Sequence, residues 1–128
     1  MTKVVFFKSG DNYWGFEEQG HSGYGEAGDD VLCAALSAMT MLVINTVEVA
    51  YASDVEYTID DGAAHIMVRA KAALPEFEED ERKRYAVSGL FCSYFHQLIE
   101  LEDDVLGGHR LAVQRDRHAL LELQGHVG

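Results

Sequence analysis

The chain predicts an α+β fold: two helices packed on an antiparallel or mixed β-sheet, in the order ββαββα. Three observations carry that expectation. Short β-branched and aromatic runs flank a turn before residue 20, and apolar residues alternate with polar ones over 55–70. An uncharged, strongly apolar stretch, "VLCAALSAMTMLVI", fills 31–44. A stripe at helical spacing then runs through Val87, Leu90, Phe91, Tyr94, Leu98, Leu101 and Val105.

Each element follows from local chemistry. Val4–Phe7 is β-branched and aromatic and reads as a strand. "SGDN" at 9–12 supplies a turn, and "YWGFE" at 13–17 completes a hairpin. A glycine-rich loop follows from about Gly20 to Asp29. Asp30 then predicts a helix start, because its side chain can cap the first backbone N–H groups. That helix runs to roughly Ala50 and is apolar on nearly every side, as a buried helix would be. Val55, Tyr57 and Ile59 alternate with polar residues, "DDG" turns the chain, and Ala64, Ile66 and Val68 alternate again. Pro75 and the acidic run "EFEEDE" predict the opening of the second helix, since acids favour its positive end. Gly107 and Gly108 stop it. "HRLAVQRD" and "HALLELQ" can each add a strand near the end.

The bulk properties bound the function. At 128 residues and 48% hydrophobic, the chain suits one domain over 1–128. No signal peptide is expected from its first residues, and the 31–44 stretch is too short for a bilayer span. The expectation is a soluble, cytoplasmic protein without a membrane partner. A net charge of −12 argues against nucleic acid, which needs clustered Lys and Arg. An acidic surface would steer a basic protein instead, or merely maintain solubility. Cys33 and Cys92 form no C-x-x-C pair, and the six histidines show no metal spacing. Reduced thiols are expected, with no metal and no cofactor. Cys92, between Phe91 and Tyr94 on the apolar stripe, reads as core filler.

Residues 20–37, "GHSGYGEAGDDVLCAALS", concentrate the candidate chemistry. With Asp30 as cap, Cys33 is the third helical residue. There the helix dipole and unpaired N–H groups favour a thiolate, lowering a cysteine pKa from about 8.5 into roughly the 3.5–7.5 range. The same N–H groups could stabilise an oxyanion. His21 lies twelve residues upstream and could complete a Cys–His pair. Ser37, one turn beyond Cys33, could bond near the reacting atoms or only to a backbone carbonyl. Glycines 20, 23, 25 and 28 would let the loop close over an extended substrate. By residue chemistry alone, Cys33 is either an activated nucleophile or a packed thiol in a core helix.

The stretch closely resembles the signature of the bacterial ribosomal-processing cysteine proteases (Prp). That signature is a Gly-His pair, a loop of glycines and aromatics, an aspartate, a cysteine three residues on and a serine four beyond. The matching positions here are Gly20, His21, Asp30, Cys33 and Ser37. The resemblance extends from Val4 to about Val105. It implies a homodimeric thiol protease that trims the amino-terminal extension of large-subunit ribosomal protein number twenty-seven during ribosome maturation. By that match Cys33 is the nucleophile and His21 the general base. Gly20, Asp30 and Ser37 support the site. Ser22, Gly23, Tyr24, Gly25, Glu26 and Gly28 form the substrate-binding loop. The tail from His109 to Gly128 is longer than the resemblance implies. The alternative from a different class is a non-catalytic, acidic, ribosome-associated module that binds a basic protein.

Overall fold

The computed structural model describes residues 2–20, 29–60, 62–102 and 111–116. A five-stranded sheet carries two helices on one face. The strands are β1 (Thr2–Ser9), β2 (Asn12–Gln19), β3 (Glu56–Asp60), β4 (His65–Arg69) and β5 (Leu111–Asp116). The helices are α1 (Asp29–Asn45) and α2 (Glu81–Glu100). Strand order is β3-β4-β2-β1-β5. Both hairpins are antiparallel, as the turns at "SGDN" and "DDG" predict, and β5 lies parallel to β1 from Thr2↔Leu111 to Phe7↔Asp116. The sheet is therefore mixed. "HRLAVQRD" supplies that edge strand, while "HALLELQ", Val105 and the Gly107–Gly108 stop lie outside the described residues.

Side-chain alternation explains which face carries the helices. Val4 and Phe6 of β1, Phe16 of β2 and Val68 of β4 are all fully buried. Against them pack Leu36, Val43 and Ile44 of α1, and Val87, Phe91 and Leu98 of α2. Phe6 sits at the centre, its ring 5.4 Å from those of Phe16 and Phe95 and 5.5 Å from that of Tyr94. The β1–β2 ladder slips at Phe7/Lys8, where Phe7 pairs with Gly15 and Lys8 with Tyr13. Trp14 is the extra residue of this bulge and stacks on Phe7 at 5.0 Å. Gly15 is required beside it, because a Cβ there would stand 2.5 Å from the Val68 carbonyl oxygen. On the other side, the Tyr13 N–H donates to Ser88 Oγ at 2.9 Å and ties the bulge to α2.

Three boundaries differ from expectation. Helix α1 starts at Asp29, so Asp30 is its second residue and not its cap, and Cys33 is the fifth helical residue. An acid inside the first turn still suits the positive end of the dipole. The helix then passes into a π-helical turn, Thr46–Ala50, which accounts for the expected end near Ala50. Helix α2 starts at Glu81, well after Pro75. Its cap is Asp80, whose carboxylate accepts the N–H groups of Arg82 at 2.9 Å and Lys83 at 3.4 Å. Before it, Lys71–Ala73 forms a 3₁₀ turn, and the Phe77 and Glu78 N–H groups both bond the Leu74 carbonyl. Pro75 thus belongs to a turn.

The helical stretch Leu32–Ala50 is 19 residues long and apolar enough to cross a membrane by length and composition. It therefore extends beyond the 31–44 stretch judged too short in the sequence. Only about a third of it is buried: Leu32, Leu36, Thr40, Val43, Ile44 and Val47 form one stripe of the shared core. Leu42 and Val49 are exposed, so the helix is not enclosed on nearly every side as its composition suggests.

Candidate active site

The candidate site begins where β2 ends. Gly20 adopts φ +81°, and its N–H donates to the Ala64 carbonyl at 3.2 Å, next to the start of β4. A positive φ suits glycine, and this one turns the chain out of the ladder. His21 follows directly in the sequence. His21, Ser22, Gly23, Tyr24, Gly25, Glu26 and Gly28 lie outside the described residues.

The chain re-enters at Asp29 as α1. Asp30 is in its first turn, Cys33 is half-buried near its positive end, and Ser37 is exposed one turn further. The i, i+4 spacing puts the thiol and the hydroxyl on neighbouring turns of one face. Leu32 and Leu36 are 3% and 2% exposed and anchor this end of the helix to the core. Cys92 stands differently, half-buried in the middle of α2 beside the buried Phe91. Among the described residues no group of three or more His, Cys, Asp or Glu side chains could hold a metal ion.

Two turns along α1 from Cys33, Thr40 joins a polar cluster in the apolar core. Glu18 of β2 is fully buried, on the same face as Phe16. Its Oε1 accepts the Tyr94 hydroxyl of α2 at 2.8 Å and the Thr40 hydroxyl of α1 at 3.1 Å. The two hydroxyl oxygens are 3.4 Å apart. Oε2 is buried and has no hydrogen-bond partner among the described residues. Burial pushes the Glu18 carboxyl up to about 7, although the bonds from Tyr94 and Thr40 pull the other way. Burial and the neighbouring carboxylate hold the Tyr94 phenol far above its ordinary range. The sequence reading missed this cluster. The signal was present, because extending the β2 alternation beyond Glu17 puts Glu18 inward with Phe16.

The cysteine protease Prp family model matches residues 1–106. Among solved structures, the chain is similar to the SMU.848 protein of Streptococcus mutans, with 22% identity and a TM-score of 0.68. That match covers 91% of this chain and 99% of the other. It is also similar to an essential ribosomal processing protease Prp from Staphylococcus aureus in complex with a substrate peptide. There the identity is 15% and the TM-score 0.72, covering 91% of this chain and 100% of the other. The same protease with a covalently linked product peptide gives 16% identity, a TM-score of 0.69 and the same coverage. No curated protein matches the chain. The structural likenesses establish a shared fold, and the family model spans most of the sequence, the Gly20-to-Ser37 motif included. The chain belongs to the Prp family of cysteine proteases.

Proposed function

We propose that this protease, as a single cytoplasmic domain over 1–128 acting as a homodimer, removes the amino-terminal extension of large-subunit ribosomal protein number twenty-seven. The observation that carries the reading is the family match over a segment with Cys33 in the opening turns of α1 and His21 just beyond β2. The related S. aureus protease, described as ribosomal processing, is known with a substrate peptide and with a covalently linked product peptide.

In this mechanism the Cys33 thiolate attacks the scissile carbonyl carbon, forming a C–S bond and a tetrahedral oxyanion. N–H groups of the first turn of α1 offer the oxyanion a partner, a contribution worth about 3–4 kcal/mol when well placed. His21, holding the thiol proton, passes it to the leaving amine as the C–N bond breaks and a thioester remains. Water then attacks the thioester, with His21 taking its proton, and Cys33 is released. Asp30 and Ser37 support the pair, Gly20 turns the chain into it, and the loop residues Ser22, Gly23, Tyr24, Gly25, Glu26 and Gly28 bind the substrate. The net charge of −12 steers a basic ribosomal protein toward the enzyme.

Incubating the extended ribosomal protein of the same genome with reduced wild-type and Cys33→Ala protein tests this reading. The wild type should shorten the substrate, and the variant should hold it uncleaved. A substrate left intact by the wild type would defeat the assignment. Tight binding without cleavage by either protein would instead favour a binding module.

A further inference from the structure

Glu18 occupies a place where an apolar side chain would be the ordinary choice. It faces Val4 of β1 and Ile66 of β4 across the ladder, with Phe16 two residues before it on the same face. Thr40 reaches it from α1 and Tyr94 from α2. One carboxyl therefore joins a strand to both helices. Each of those contacts is also placed with respect to the candidate site. Glu18 stands two residues before Gly20 and three before His21 in the sequence. Thr40 stands seven residues after Cys33 on α1, two helical turns on the same face, or about 10 Å along the axis.

We propose that Glu18 is a positioning residue whose carboxyl, gripped by Thr40 and Tyr94, holds the end of β2 in register with the helix that carries Cys33. The inference rests on the reading of His21 and Cys33 as the reacting pair. The first is delivered by the chain leaving β2 and the second by α1, so a tie between those elements sets how the two meet. It extends to pH. A neutral Glu18 fits its apolar surroundings, and both hydroxyls donate to Oε1. An ionised Glu18 places charge on a buried Oε2 that no donor among the described residues meets. Its carboxyl titrates near 7, so this change falls close to neutrality. Among the described residues the titratable group bearing on it is Tyr94, whose phenol stays protonated and keeps donating throughout. Thr40, Val4 and Ile66 carry no charge. Ionisation strengthens each hydroxyl bond to Oε1, but the larger cost of the buried charge favours opening that hydrates Oε2. Alkaline conditions should therefore loosen β2 against α1.

The test compares full-length wild type, Glu18→Gln and Thr40→Val. Glutamine keeps the Oε1 acceptor and cannot ionise, while valine cuts the link to α1 alone. The values of kcat and KM are measured on a peptide spanning the ribosomal extension, on both sides of about pH 7. Iodoacetamide labelling of Cys33 is followed by mass spectrometry in the same samples, well below each protein's melting temperature. The expected result is a kcat ratio of Glu18→Gln to wild type that rises several-fold through neutrality, with KM little changed. Cys33 labelling should follow the same course, and Thr40→Val should lower kcat and flatten its alkaline decline. Ratios flat with pH in both readouts would overturn the proposal while leaving the protease intact. A wild type that cleaves nothing, yet shows the labelling ratio turning near neutrality, would remove the protease reading, and the positioning role with it, while leaving Glu18 as a structural tie between β2 and α1.

Discussion

Helices α1 and α2 share a core but are built on opposite principles. Helix α2 opens on charge, with Glu81, Arg82, Lys83 and Arg84 after the Asp80 cap, and has one apolar stripe from Val87 to Leu98. Helix α1 has no charged residue after Asp30 and leaves Met41 and Leu42 exposed at 42% and 60%. Local chemistry is enough to start and orient α2. Helix α1 begins after a glycine-rich segment and is oriented by what it buries. The two cysteines divide along the same line, with Cys33 near the positive end of α1 and Cys92 twelve residues into α2. Position along a helix, more than residue type, separates a candidate nucleophile from a packing thiol.

The largest expected effect breaks that symmetry directly. Cys33→Ala should abolish cleavage of the extended ribosomal protein, whereas Cys92→Ala should retain most of it with a lower melting temperature. Cleavage assays and melts on both variants check this. Equal losses of activity in the two variants would erase the distinction between the helices.

The next effect concerns the carboxyl that both helices grip. Glu18 has its folded pKa raised from 4.5 to about 7, so the folded state keeps a proton that the unfolded chain releases. Its stabilising contribution is complete below about pH 4.5 and is lost as pH rises through about 7. At 1.36 kcal/mol per unit, the loss is about 3 kcal/mol. Urea unfolding of wild type and Glu18→Gln across that window should show their stability difference moving by about this amount in favour of the variant at the alkaline end. A difference independent of pH would mean that Glu18 titrates like an exposed acid.

How much was legible before the structure follows from the same contrast. The hairpins and both helices were readable because alternation and helical periodicity are local signals. The parallel pairing of Leu111–Asp116 with β1 joins residues over a hundred positions apart, and no local pattern states it. Pro75 suggested the start of α2, but the side chain that satisfies the first N–H groups is Asp80, and capping decides the boundary. At the candidate site, spacing and resemblance are enough to propose Gly20, His21, Asp30, Cys33 and Ser37. Glu18 was not legible, because the strand reading stopped one residue short and an acid does not signal burial.

The smallest effect compares the two acids that open the helices. Asp80→Ala removes a cap and should cost about 0.5–2 kcal/mol. Asp30→Ala removes an acid from within the first turn, which a dipole interaction of about 0.3–1 kcal/mol describes. Thermal melts should therefore show the larger shift for Asp80→Ala. For activity the order should reverse, since Asp30 belongs to the proposed site, three residues before Cys33 in the sequence, and Asp80 does not. Asp30→Asn with full activity would confine Asp30 to a dipole role.

The measurement that bears most directly on the account is the alkylation rate of each thiol in the folded wild-type protein as a function of pH. Iodoacetamide labelling read by mass spectrometry distinguishes Cys33 from Cys92 without a mutation. The account predicts that Cys33 reacts far faster at neutral pH, with an apparent pKa well below the ordinary value of about 8.5. A Cys33 that labels no faster than Cys92, its rate rising only as pH approaches about 8.5, would contradict it.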